Sequence, residues 1–262
     1  MPHFAANLSL MFTEVDFLDR FAAARAHGFE AVECLFPYDW PAEQIAERLA
    51  ASNLQLVLHN LPAGNWSAGE RGMACDPARV AEFQDSVGRA LDYARVLGVP
   101  RLHCLAGLLP AGVSTQRAQA AYIDNLRFAA KQLRAHGIDL MIEPINTYDM
   151  PGYFLTSSAQ AADIIATIGA DNLFLQYDIY HMQRMQRVEG ALADGIGKYL
   201  PLIGHMQLAD VPGRHEPGTG VIDFRALFAL VDELGYKGWI GCEYHPVGET
   251  AAGLGWRSAL QA

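Results

Sequence analysis

The 262-residue sequence lacks a long apolar run: its longest stretch without a charged or strongly polar residue is about ten residues, Cys104 to Val113, broken by Gly107, Pro110 and Gly112. A membrane-spanning helix needs roughly twenty, so none is expected. Basic residues are few, 19 Lys and Arg against 29 Asp and Glu for a formal charge of −10, and they form no cluster. That disfavours a nucleic-acid partner, which needs a basic face against phosphate, and leaves room only for local cationic sites. The four cysteines, Cys34, Cys75, Cys104 and Cys242, never fall into CxxC spacing, and three lie in apolar strand-like segments. Reduced, buried thiols are expected rather than disulfides or a zinc knuckle. The first twenty residues carry Glu14, Asp16 and Asp19 and no basic start followed by apolar residues. No secretory signal is visible, and the cytoplasm is the expected compartment.

Also missing are a Ser/Gly linker, a charge run and a repeat of fixed period, so one domain over residues 1–262 is the simplest organisation. There is no G-x-S-x-G, no Walker loop and no H-E-x-x-H; His215-Glu216 is followed by Pro217-Gly218-Thr219, which excludes a zincin helix. With 51% hydrophobic residues, the chain can still bury a large core.

What is present is an alternation of periods. Short apolar runs at Phe4–Leu8, Ala31–Phe36, Leu54–Asn60, Arg101–Gly107, Asp139–Ile145, Leu173–Asp178, Gly204–Asp210 and Trp239–Tyr244 predict eight strands. Between them, amphipathic patterns predict helices at Val15–His27, Ala42–Ser52, Pro77–Leu97, Ser114–His136, Ser157–Ile168, roughly Met182–Tyr199 and Phe224–Leu234, with a short tail after Gly248. Glycine follows five of these helices, at Gly28, Gly98, Gly137, Gly169 and Gly235, where a helix ends in the left-handed conformation. Eight such units in this length predict an α/β fold, a single (β/α)8 TIM barrel. The competitor is a doubly wound open sheet, but no G-x-G-x-x-G follows the first strand, and Gly218-Thr219-Gly220 comes after the seventh.

In such a barrel the site lies at the carboxyl ends of the strands. Strands five to eight end in Glu143, Asp178, Gln207 and Glu243, each on the face opposite Ile142, Tyr177, Met206 and Cys242. Three carboxylates at one mouth repel one another unless a cation neutralises them. Two Glu, one Asp and an amide oxygen make a hard, oxygen-rich set, so one divalent ion, Mg²⁺ or Mn²⁺, is the expected cofactor.

The runs Leu58-His59-Asn60-Leu61-Pro62-Ala63-Gly64, Glu143-Pro144-Ile145-Asn146, Gln176-Tyr177-Asp178-Ile179-Tyr180-His181, Gly204-His205-Met206-Gln207, His215-Glu216-Pro217-Gly218-Thr219-Gly220 and Gly238-Trp239-Ile240-Gly241-Cys242-Glu243-Tyr244 resemble the hydroxypyruvate isomerase family, within the xylose-isomerase-like barrels. The resemblance covers essentially the whole chain. It implies metal-dependent interconversion of hydroxypyruvate and 2-hydroxy-3-oxopropanoate. By position, it makes Glu143 and Glu243 the proton donor and acceptor pair and also metal ligands, with Asp178 and Gln207 completing the shell. Gln207 stands where wider sugar-epimerase relatives carry His, a departure from the pattern. Sister readings are a 2-oxotetronate isomerase, a metal-dependent phosphodiesterase of the same superfamily, and a binding barrel without activity.

Around this set, His181, three residues after Asp178, is a candidate to polarise a substrate oxygen, and His59 and Arg214 are candidates for the carboxylate of a small anionic hydroxy-keto acid. His205 lies about 7 Å below Gln207 on the same face and reads as a barrel histidine rather than a ligand. The long segment from Leu61 to Asp76, with Trp66, Glu70 and Arg71 among glycines, has the composition of a lid. Asn7 and Glu33 lie near the ends of the first two strands and either line the mouth or hold structure. The composition is compatible with a homo-oligomer.

Overall fold

Eight short strands alternate with helices along the chain: β1 His3–Asn7, β2 Ala31–Cys34, β3 Gln55–Asn60, β4 Arg101–His103, β5 Asp139–Ile142, β6 Leu173–Asp178, β7 Ile203–Leu208 and β8 Trp239–Cys242. They pair in parallel in sequence order, and β8 returns to β1, closing the barrel. The computed structural model describes residues 2–260. The helices among them are α1 Arg20–Ala26, α2 Ala42–Ser52, α3 Val80–Leu97, α4 Thr115–Arg134, α5 Ser158–Ile168, α6 Ile179–Arg184, α7 Gln186–Glu189, α8 Leu192–Tyr199, α9 Phe224–Glu233, α10 Thr250–Gly253 and α11 Gly255–Ala259. None is long and apolar enough to cross a membrane.

Differences from the sequence reading lie where loop chemistry overrides periodicity. The fourth strand stops at His103 because the chain beyond it bonds the loop before α3, with Cys75 N donating to Ala106 O at 2.8 Å. The fifth stops before Pro144, which has no N–H for a ladder. One helix was expected over Met182–Tyr199, and three form instead. Asp178 caps the first by accepting from Tyr180 N at 2.7 Å, starting it directly after β6, and Gly190, at φ 82°, breaks the run before α8.

The large apolar core fills the space between barrel and helices and includes Ile142, Tyr177, Met206 and Cys242, the outward faces of β5 to β8. A smaller cluster of Ala5, Ala31, Val57, Leu58 and Met141, all on strands β1, β2, β3 and β5, is buried separately. All four cysteines are free and buried. The inward positions nearer the strand ends are polar, and these build the site.

Candidate active site

The register sets Asn7 of β1 beside Glu33 of β2, and Gln176 and Asp178 of β6 beside His205 and Gln207 of β7. Glu33 is fully buried and accepts from Asn7 Nδ2 at 3.0 Å and Gln207 Nε2 at 2.7 Å, while His205 Nε2 lies 2.7 Å from its other oxygen. Gln207 Oε1 in turn accepts from Gln176 Nε2 at 2.7 Å. This network needs Gly241 on β8, since a β-carbon there would fall 2.2 Å from the Glu33 carboxylate. Buried acceptors and donors thus meet one another instead of water.

Above the network stand the carboxyl groups. Glu143 follows β5, Asp178 ends β6 and Glu243 follows β8; all three are buried. Glu143, Asp178 and His181 bring ligand atoms within 4.8 Å of one another, with His181 Nε2 3.7 Å from Asp178 Oδ2 and 3.9 Å from Glu143 Oε1. Neither Glu143 Oε1 nor Asp178 Oδ2 accepts a hydrogen bond, although both are buried. Two buried carboxyl oxygens without a hydrogen-bond donor, brought within 4.8 Å of each other, are what a divalent cation would satisfy, so the residues fit a hard metal ion.

Arg214 is the one cation reaching this group among the described residues, its Nη2 3.3 Å from Glu243 Oε1 and 3.5 Å from Asp178 Oδ2. It sits at φ 56° in the loop after β7. That loop is wound around Asp210, whose two oxygens accept from the backbone N–H of Val211, Gly218, Gly220 and Ile222. Gly220 is required there, because a β-carbon would collide with the Val211 carbonyl. The loop holds Arg214 through its N–H on Asp210 O at 2.9 Å and its carbonyl on His245 N at 2.9 Å.

Burial dominates the electrostatics. It raises the pKa of Glu143, with Glu243 and Asp178 adding repulsion, and it raises Asp178 against the pull of Arg214. Glu243 is pushed up to about 8 by burial, opposed by Arg214 and reinforced by Asp178 and Glu33. Burial works against the charge of Arg214, but Glu243, Asp178 and Glu143 outweigh it and raise its pKa. His181 is driven well below 6.5 by burial and the positive charge of Arg214, and His103 falls to about 3 through burial and His205. The cavity these groups face has a volume of about 300 Å³, at the small end for ligand sites.

The model of the xylose isomerase-like TIM barrel family matches residues 21–260. The chain belongs to this family. It is 51% identical over 256 residues to a protein of Cupriavidus necator named 2-oxo-tetronate isomerase, covering 98% of this chain and 97% of that one. It is 50% identical over 256 residues to a protein of Escherichia coli named hydroxypyruvate isomerase, covering 98% of each. A solved structure from Brucella melitensis, described as an AP endonuclease of family 2, superposes with a TM-score of 0.95 at 44% identity over 99% of both chains.

Within this family frame, the structure brings Glu143, Gln176, His181, Gln207, Arg214 and Glu243 to the cavity wall, with Asp178 in contact behind Arg214 and His181. His59 is not in that wall: β3 turns Asn60 toward the cavity, while His59 Nδ1 lies 3.3 Å from the Tyr38 hydroxyl and burial lowers its pKa to about 4. In the segment before α3, Trp66 lines the cavity and also a larger outer cleft of about 750 Å³, so its indole stands between the two. Arg71 stacks on that indole at 4.1 Å, and Glu70 points away to a two-armed contact with Arg79, 3.0 Å on each arm.

Sequence reasoning missed His103 and Asp210. His103 ends β4, lines the cavity and places Nε2 3.6 Å from Glu143 Oε2. The strand-end logic applied to β5 to β8 would have found it one strand earlier. Asp210 carries no local signal beyond its place before a Pro- and Gly-rich loop.

Proposed function

We propose that this chain is an isomerase of short hydroxy-keto acids that interconverts hydroxypyruvate and 2-hydroxy-3-oxopropanoate. The carrying observation is that two buried carboxyl groups, Glu143 and Glu243, face one small cavity together with the Arg214 guanidinium. The reaction removes a proton from C3 of hydroxypyruvate, gives an enediolate, returns a proton to C2 and moves the hydroxyl proton from O3 to O2. Glu143 and Glu243 reach the cavity from different strands, so one can take the proton from C3 while the other gives one to C2. His181 is placed to engage a substrate oxygen, and Arg214 supplies the positive charge that an anionic substrate needs in an acidic pocket.

Glu143, Asp178, Gln207 and Glu243 would hold a divalent ion such as Mg²⁺ or Mn²⁺. When bound, that ion supplies Lewis-acid stabilisation of the negative charge developing on the substrate oxygens.

The four-carbon homologue, 2-oxotetronate, is the second reading, favoured by the name of the relative at 51% identity. The Brucella protein's name suggests a nuclease, but three carboxyl groups around a single guanidinium would repel a phosphodiester backbone. The test strips the protein of metal, restores Mg²⁺ or Mn²⁺, and follows each acid by proton NMR in heavy water. Metal-dependent turnover of hydroxypyruvate with the longer acid much slower is the expected result. Turnover of the longer acid alone transfers the same residues to the sister activity, and silence on both rejects the reading.

A further inference from the structure

Asn146 follows β5 in the turn Glu143-Pro144-Ile145-Asn146 and is fully buried. Its side-chain oxygen accepts from Tyr148 N at 3.0 Å and Asp149 N at 2.9 Å, which fixes the end of the amide that carries oxygen. The amide nitrogen therefore faces the other way, donating to Asp149 Oδ2 at 2.9 Å and lying 2.7 Å from His181 Nδ1. The Tyr180 hydroxyl donates to the same Asp149 oxygen at 2.7 Å and holds that acceptor in place. A ring nitrogen 2.7 Å from an N–H donor must offer its lone pair. The imidazole proton then sits on Nε2, which faces the cavity between Asp178 and Glu143.

We propose that Asn146 is a positioning residue that locks His181 as the Nε2–H tautomer, so that His181 donates a hydrogen bond to a substrate oxygen and does not ligate the metal. A metal-bound imidazole nitrogen needs a free lone pair, and its other nitrogen normally donates to an acceptor. Here the other nitrogen meets a donor, the opposite polarity. The closeness of His181 to the two carboxylates is therefore that of a donor serving the same substrate oxygens that the metal would polarise. The carboxylates and the Gln207 amide oxygen are left to hold the ion. The role toward substrate rests on the isomerase reading; the tautomer does not.

The experiment is histidine-selective ¹⁵N NMR of the intact protein, with His181 assigned by its loss in His181→Gln, before and after addition of Mg²⁺. The expected spectrum has the proton on Nε2 and a bare Nδ1, unchanged in that respect by the metal. A proton on Nδ1 in the wild type, or removal of the Nε2 proton by Mg²⁺, overturns the proposal. In Asn146→Asp combined with Asp149→Asn, which keeps an acceptor for the two turn N–H groups and removes the carboxylate that the new one would otherwise face, the proton should move to Nδ1. kcat on the acid the wild type uses should then fall on the order of 10²–10³-fold, the loss of one donor to a developing oxyanion, with KM little changed. Asn146→Ala frees Nδ1 without supplying an acceptor, so its spectrum should show a mixture of tautomers and its kcat an intermediate loss. If both variants keep the wild-type tautomer while folded, Asn146 is not the lock and the proposal fails. If the wild type turns over neither acid yet carries the proton on Nε2, the isomerase reading fails and the tautomer assignment stands.

Discussion

Gln207 donates its amide Nε2 to Glu33 Oε1 at 2.7 Å, and this contact joins the floor of the site to its working groups. Glu33 is acceptor-only and serves Asn7, His205 and Gln207 at once. Glu33→Gln replaces one acceptor oxygen by a donor and sets it against a donor in a buried network. The expected cost is about 2–4 kcal/mol, or a Tm lower by roughly 5–15 °C. Gly241→Ala should do comparable damage, because its methyl would enter the space of the Glu33 carboxylate. The two changes act on one contact, so the double variant should lose less than the sum. Thermal melts of the four proteins decide this, and strict additivity would mean that the two residues do not share the space the structure gives them.

Glu143→Gln and Glu243→Gln should each lower kcat on the order of 10²–10⁴-fold if only proton transfer is lost. Metal content must be measured on the same samples, since both residues face the proposed ion. Retained metal with lost turnover identifies a proton-transfer role. Solvent deuterium exchange at C3 that survives in one variant but not in the other would show which carboxyl acts on that carbon.

The barrel was legible because its signals are local and repeated: eight apolar runs, helical spacing between them, and glycine after the helices. The inward polar positions of β5 to β8 followed from strand alternation alone, so Glu143, Gln207 and Glu243 could be placed at one cavity, with Asp178 beside them, before any coordinates. What was not legible depends on contacts distant in sequence. His59 and Asn60 are adjacent, and which one the cavity receives goes with distant partners: Tyr38 beside the imidazole, and His103 Nδ1 3.1 Å from Asn60 Oδ1 on the cavity side. The break of the sixth helical segment into three pieces depends on Asp178 capping and on the backbone at Gly190. The four N–H groups gathered by Asp210 are up to twelve residues away from it, beyond any local pattern.

Trp66 borders both the 300 Å³ cavity and the 750 Å³ cleft outside it. Trp66→Ala should join the two spaces and relax selection by substrate length, whereas Trp66→Phe should keep most of the partition. Calorimetric binding of glycerate, erythronate, xylonate and gluconate measures this without turnover. The wild type is expected to lose at least ~10-fold in affinity beyond four carbons, about 1.4 kcal/mol, and Trp66→Ala to lose much less. An identical length profile in both proteins would show that the indole is not the boundary.

Removing the metal should make stability depend on pH in a defined direction. Buried His59, His103 and His181 hold their protons less tightly in the folded chain than at the ordinary 6.5, so their contribution to stability rises with pH and is complete by about pH 7. Glu143, Asp178 and Glu243 behave oppositely. Their carboxyl groups keep protons that the unfolded chain releases near its ordinary carboxyl range, so stability falls as pH rises toward the folded value, about 8 for Glu243. Below about pH 6.5 the two slopes oppose each other; between about 7 and 8 only the carboxyl slope remains. Metal-free protein should therefore lose Tm over that upper interval. Mg²⁺ or Mn²⁺ requires the ionised carboxylates, so the Tm gained on adding it should be larger at pH 8 than at pH 6.5. A metal-free Tm that rises from pH 7 to 8, or a metal-induced gain that does not grow with pH, would mean that the three carboxyl groups are not the ones that receive the ion.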